Sequence, residues 1–316
     1  MRVVKTDGIL PAGPRELAHF DGLEVDFVDR PCLTEDALIA ECSDAAALLV
    51  IREPITRRVI SALKSCRVIS RFGVGLDNID VAAATAAGIK ITNVPDANTD
   101  EVSTHTLAMM LSLIRRLPRY DSAVRTGRWF ATSDGAGMMR TENMTLGLIG
   151  CGRIGRDVLR KAAVFGFKTL VHDPGLDVGT IARLGATGAT LEEVLRQSDI
   201  VSLHIPLTPH TTRLLDGKAI ALMKPNAIII NTSRGALVDE AAVAEALMDG
   251  RLGGAGLDAF VNEPLNRDSR LLEAPNTIFS PHVAHYSEQS VAETCRKAFA
   301  NVAAVLRGQP ALYPVN

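Results

Sequence analysis

The segment TLGLIGCGRIGRDVLRKA at 145–162 constrains the fold more than any other stretch of the chain. An apolar run ends in Gly150, Cys151, Gly152, Arg153, Ile154 and Gly155, and helix-forming residues follow at once. That order reads as a strand, a tight glycine turn and a helix N-terminus. Bare backbone at Gly150 and Gly152 lets a pyrophosphate come close, and the helix start offers it N–H groups and a positive dipole end. A second strand pattern, KTLVHD, ends in Asp173, 18 positions after Gly155. That is close to the roughly 20-residue spacing of a carboxylate that grips the adenosine ribose hydroxyls. A turn needed only for close helix–sheet packing would not require the acid, so the three features together predict a dinucleotide site. Asp173 repels a 2′-phosphate and accepts from a free 2′-hydroxyl, and Pro174 and Gly175 supply no Arg to receive the phosphate. The expected cofactor is therefore NAD rather than NADP.

The chain of 316 residues suggests two domains and is long enough for full hydrophobic cores. With 47% hydrophobic and 22% charged residues it has an ordinary globular composition. A net charge of −2 invites neither nucleic acid nor an anionic membrane. No apolar run approaches the ~20 residues of a spanning helix. MRVVKTDGIL reads as a strand and turn rather than a signal peptide. Cys32, Cys42, Cys66, Cys151 and Cys295 are scattered, with no CxxC spacing. They read as reduced thiols of a cytoplasmic protein with no metal site.

The predicted fold is α/β, with two Rossmann-like parallel-sheet units. RVVKT, LEVDFVD, ALLVI, RVISRFG and GIKITNV are the strand candidates of the first unit, with helices over TEDALIAECS and TRRVISALKS. A long apolar helix then begins at Asn98, read as an N-cap with Glu101 completing a capping box, and runs until Pro118 stops it. Residues 131–143 read as a surface loop. From 145 the second unit runs through TLGLIG, KTLVHD, GATGA, DIVSLHI, AIIINTS, GGAGLDAF and TIFSPH, six or seven parallel strands. A last helix, roughly 288–307, is expected to pack back on the first unit. The NAD-binding unit, 99–285, is thus predicted to be inserted into a substrate-binding unit formed by 1–98 and 286–316.

Three chemically capable groups each follow a different strand of the second unit: Arg234 after AIIINTS, Glu263 after GLDAFVNEP and His282 after TIFSP. Ligands of open parallel sheets bind at the carboxyl ends of the strands. An Arg binds a carboxylate bidentately and polarises a neighbouring carbonyl. A His donates or accepts a proton near neutral pH, and a Glu beside it stabilises the imidazolium. Taken singly, each also fits a satisfied structural residue, a cap or a solvated loop charge. Jointly they fit hydride transfer to a 2-oxo acid.

At these residues the chain resembles the D-isomer-specific 2-hydroxyacid dehydrogenases over nearly its whole length. The resemblance rests on RFGVGLDNID at 71–80, GLIGCGRIG at 147–155, HIPLTPHTTRLL at 204–215, INTSRGALVDEAAV at 230–243, GLDAFVNEP at 256–264 and SPHVAHYSEQS at 280–290. It implies that Arg234 binds substrate, that His282 is the acid–base group and that Glu263 pairs with it. It further implies cofactor contacts from Arg153, Ile154, Pro206, Thr232 and Asp258, the last accepting from the nicotinamide amide. Gly73, Val74 and Gly75 would present backbone N–H groups to the substrate carboxylate as a small anion nest, and Arg52 would reach the same substrate. A homodimer through the NAD-binding unit is also implied, with Met138 and Met139 as possible contributors. Thr104 stands where many relatives carry an acid. Tyr286 is similar to the C-terminal-binding-protein branch, so an NAD(H)-sensing binding protein stays open beside the enzyme. A formate dehydrogenase is disfavoured because that enzyme pairs its His with Gln. The chain ends at Asn316 and is expected to lack a serine-binding regulatory domain.

Overall fold

The computed structural model describes residues 1–129 and 131–316. The chain divides into two compact units, one formed by 1–98 with 286–316 and the other by 99–285.

In the first unit, β1 (Arg2–Lys5), β2 (Asp26–Asp29), β3 (Ala47–Val50), β4 (Val68–Arg71) and β5 (Lys90–Thr92) form a parallel sheet in the order β2-β1-β3-β4-β5. The central strand β3, ALLV, is buried at all four positions, as a strand covered by helices on both faces must be. The helices Glu35–Cys42 and Arg57–Ala62 start where Thr34 and Thr56 accept from the amides of Ala37 and Val59. The final helix, Glu288–Leu306, packs on this sheet. Ser70 Oγ donates to the Ala298 carbonyl at 3.1 Å, and the Phe299 ring lies 5.6–6.2 Å from those of Phe20, Phe27 and Phe72. Arg67 donates to the carbonyls of Val305 and Leu306, satisfying acceptors that every helix C-terminus leaves open.

The second unit holds β6 (Thr145–Ile149), β7 (Lys168–His172), β8 (Thr187–Gly188), β9 (Ile200–Leu203), β10 (Ala227–Asn231), β11 (Leu252–Leu257) and β12 (Thr277–Phe279). All pairings are parallel, and the order is β12-β11-β10-β9-β6-β7-β8. The chain leaves β6 in one direction through β7 and β8, then returns to lay β9 on its other side. That reversal between β6 and β9 is the switch point at which such sheets open a ligand crevice. The helix Thr99–Ile114 lies against β10 and β11. A Cβ at Gly256 would sit 3.1 Å from Met109 Cβ, so the bare glycine permits the close approach.

Two local expectations are corrected. Pro118 does not end the long helix, which stops at Ile114. Arg116 takes a left-handed φ of 51° and a second helix, Leu117–Arg125, follows with Pro118 in its first turn. Proline is well tolerated there because first-turn N–H groups have no intrahelical acceptor. The capping box at Asn98 does not form, since Asn98 Oδ1 is buried without a hydrogen-bond partner. Among the described residues no helix is long and apolar enough to cross a membrane, and no cluster of His, Cys, Asp and Glu could hold a metal ion.

Candidate active site

The glycine turn lies at the switch point, and each glycine has its own reason. Gly150 has φ 93°, and a Cβ there would strike the His204 carbonyl oxygen at 2.4 Å. Gly155 packs its bare Cα against the Gly150 carbonyl, at 2.4 Å from a built Cβ. At Gly152 a Cβ would meet nothing within 4 Å, and no side chain caps the helix Arg153–Ala162 that it opens. The turn therefore leaves an uncapped helix N-terminus facing open space, which fits a pyrophosphate. Arg153 is exposed at this end, while Ile154 is half-buried against the core. Asp173, just past β7, is half-buried beside the turn. Its Oδ2 accepts from the Cys151 amide at 2.7 Å and its Oδ1 from the Gly175 amide at 2.9 Å. The carboxylate is thereby aimed, with acceptor capacity left for a ribose.

Pro206 is exposed past β9, and its carbonyl accepts from Thr211 Oγ1. Thr232 is buried, and its hydroxyl bonds Thr106 Oγ1 of the helix Thr99–Ile114 at 2.8 Å. That hydroxyl is turned to the core.

The strand neighbours β10, β11 and β12 bring Arg234, Glu263 and His282 to three adjacent carboxyl ends of one sheet. Arg234 opens the short turn Gly235–Leu237. Its carbonyl is held by Asn231 Nδ2 at 2.8 Å, while Asn231 Oδ1 accepts from the Ser233 amide. Asn231 is fully buried, an anchor that sequence spacing did not single out. His282 Nδ1 lies 2.8 Å from Glu263 Oε1 and 2.9 Å from Oε2. The carboxylate requires a proton on Nδ1, so Nε2 is the nitrogen left for exchange with a substrate. Glu263 Oε1 also accepts from the Phe260 amide at 3.2 Å, closing its own loop.

His282 has φ 56°. Asp258, only 1% exposed, holds that turn. Its carbonyl accepts from the His282 amide at 2.8 Å. Its Oδ1 accepts from Ser280 Oγ at 2.6 Å and from the Val283 amide at 2.9 Å, and its Oδ2 from the Ala284 amide at 3.0 Å. A carboxylate has about four acceptor sites, so one remains for a further donor. His105 Nε2 lies 2.8 Å from Ser280 Oγ and extends the network to the helix Thr99–Ile114. Sequence reading missed His105 and Asp258's hold on the turn, because these contacts join residues up to 175 positions apart.

In the other unit, Gly73 has φ 113°, which favours glycine. The Gly73 carbonyl accepts from the Val94 amide and the Val74 carbonyl from Asn93 Nδ2, both at 2.9 Å. Those bonds fix the turn 73–75. Arg52 is exposed after β3, next to a turn that Asn78 Nδ2 ties through the carbonyls of Ile51 and Glu53.

His204, beneath the glycine turn, is half-exposed as a residue, yet its Nδ1 is sealed from solvent and has no partner. Burial pushes its pKa down from 6.5 to about 4. The imidazole is neutral when folded and charges first in the unfolded chain. The resulting stability is complete above pH 6.5 and is lost as pH falls toward 4, at no more than about 1.4 kcal/mol per pH unit. The urea midpoint of wild type should therefore fall relative to that of His204→Gln as pH drops through that window. Parallel curves would show that His204 is not the group responsible.

Residues 107–284 match the family model for the D-isomer specific 2-hydroxyacid dehydrogenase NAD-binding domain. The chain is 38% identical over 290 residues to D-3-phosphoglycerate dehydrogenase of Mycobacterium tuberculosis, covering 91% of this chain and 53% of that protein. It thus spans about half the length of that relative. A glyoxylate reductase of Korarchaeum cryptofilum is 35% identical, with 87% of this chain and 84% of that protein covered. Among solved structures, D-lactate dehydrogenase of Aquifex aeolicus complexed with NAD and lactic acid superposes with a TM-score of 0.88. It is 28% identical, with 97% of this chain and 96% of that chain covered. With an NAD-binding fold, a glycine turn at its switch point and these similarities, the chain belongs to the D-isomer-specific 2-hydroxyacid dehydrogenases.

Proposed function

We propose that the protein is an NAD-dependent dehydrogenase that interconverts a small 2-oxo acid and its D-2-hydroxy acid. The observation that carries the reading is the Glu263–His282 pair at 2.8 Å, on the two strands next in order to that of Arg234 in the same sheet. Arg234 binds the substrate carboxylate and polarises its carbonyl. His282 gives a proton from Nε2 to the carbonyl oxygen, and Glu263 steadies the imidazolium before that transfer. Bound NADH supplies the hydride that reduces the carbonyl carbon. The N-terminus of the helix Arg153–Ala162, with Arg153 and Ile154, holds the pyrophosphate, and Asp173 holds the adenosine ribose. Pro206 would serve the adenine side, Thr232 the ribose or nicotinamide, and Asp258 would offer its remaining acceptor site to the nicotinamide amide. Arg52 and the amides of Gly73, Val74 and Gly75 are the first unit's candidates for holding a carboxylate.

The test is NADH oxidation with glyoxylate, hydroxypyruvate, pyruvate, phosphohydroxypyruvate and branched 2-oxo acids. Turnover with at least one is expected. NADH binding with no turnover on any would favour a cofactor-sensing binding protein instead. Asp173→Ala should weaken NADH binding roughly tenfold, about the worth of one hydrogen bond to a charged group, and narrow the preference over NADPH. An unchanged NADH/NADPH ratio would refute the role of Asp173.

The protein is further proposed to be cytoplasmic, in keeping with five free cysteines, and homodimeric. Leu117, Val124, Trp129 and Met139, each at least 45% exposed, supply apolar surface on the NAD-binding unit that a second copy would cover. Light scattering at a monomer mass would contradict the dimer.

A further inference from the structure

The loop that carries Glu263 has little burial to hold it. Val261, Asn262, Glu263 and Pro264 are four consecutive exposed residues. Its position depends on what grips the backbone where it begins, and three contacts meet at Phe260 and Val261. The Phe260 amide donates to Glu263 itself at 3.2 Å. The Val261 amide donates to Glu240 Oε1 at 2.7 Å. Gly235 lies so close that a Cβ would fall 1.9 Å from the Phe260 carbonyl carbon.

Gly235 and Glu240 belong to the segment that Arg234 opens. Glu240 is the first residue of the helix Glu240–Met248, whose N-cap Asp239 accepts from the amides of Ala241 and Ala242. Asp239 serves the helix end, which leaves Glu240 available to reach across. The Arg234 segment and the Glu263 loop are therefore fastened to each other at two points, a bare Cα and a carboxylate. Gly235 sets how near the two can come, and Glu240 keeps the loop from moving away.

We infer that Glu240 is a positioning residue: by holding the Val261 amide it fixes Glu263, and through Glu263 the His282 imidazole, relative to Arg234. The inference rests on the acid–base reading of those three residues. A carboxylate at a helix N-terminus is favourable on dipole grounds alone, so the test must separate positioning from helix stability.

Three variants do so. Glu240→Ala removes the acceptor. Glu240→Asp keeps the charge at the helix end but is too short to reach Val261. Glu240→Gln loses the charge but keeps an accepting oxygen. Glu240→Ala and Glu240→Asp should lower kcat on the order of tenfold, the worth of one charge-assisted hydrogen bond, with NADH affinity unchanged. Glu240→Gln should recover most of that loss. Amide hydrogen exchange at Phe260 and Val261 should quicken in Glu240→Ala and Glu240→Asp, an effect read without any turnover. If Glu240→Ala does not fold, the contrast of Glu240→Asp with Glu240→Gln decides. Wild-type kcat in Glu240→Asp, equal loss in Glu240→Gln and Glu240→Asp, or unchanged exchange at Val261 would each overturn the inference. A wild-type protein inactive on every 2-oxo acid would instead sink the catalytic reading, and exchange alone would then judge whether Glu240 holds the loop.

Discussion

Replacing His282 with Gln is expected to lower kcat for 2-oxo acid reduction by roughly 10²–10⁴-fold, the usual share of a positioned acid–base group. NADH affinity should stay within about twofold, because the glycine turn and Asp173 owe nothing to His282 and the lost imidazole removes no bond they make. The backbone complicates the choice of variant. His282 has φ 56°, a region that Asn tolerates better than Gln. His282→Asn therefore serves as the less strained companion, and both variants should show the same kinetic defect. Cofactor binding is measured by NADH fluorescence and turnover by absorbance. Loss of NADH affinity in step with turnover would show that His282 holds the fold instead of moving a proton.

The second large effect is expected at Asp258. Its buried carboxylate accepts from Ser280 Oγ and from two backbone amides. Alanine would strand three donors, and each buried unsatisfied group costs about 1–3 kcal/mol. With partial relief from water, Asp258→Ala should cost about 3–5 kcal/mol. For a unit of this size that lowers Tm by roughly 10 °C. Asn is no remedy, because one side of its amide is a donor and would face a donor. Turnover should fall along with stability, since the same bonds set the turn that carries His282. An unchanged Tm in Asp258→Ala would show that the turn is held by other contacts. Differential scanning calorimetry reads the result.

Much of this site was legible in the residues because each motif is local. The turn at 150–155 and the acid at 173 belong to one strand–helix–strand unit, so spacing alone carries the reading. Arg234, Glu263 and His282 each follow an apolar strand pattern, which by itself puts them at one end of the sheet. What lay beyond the sequence is the set of contacts that cross it. Asn231 looks like the end of a buried strand, yet both polar ends of its amide brace the Arg234 turn. Asp258 reads as a cofactor ligand by family pattern, and its second part, holding the His282 turn, rests on donors 22 to 26 positions away. Thr232 spends its hydroxyl on Thr106. Pro118 misled for a different reason: a proline that forbids a helix interior is welcome in a first turn, and only the left-handed Arg116 before it tells the two apart.

The most direct measurement follows the hydride itself. The protein is given NADH deuterated at the transferable position of C4 and the best 2-oxo acid from the panel other than glyoxylate, whose product has no D or L form, in ordinary water, and the product is examined by mass spectrometry and chiral chromatography. The account predicts one deuterium on C2 of the D-2-hydroxy acid. Consumption of NADH with no label at C2, or a product of the L configuration, would contradict it.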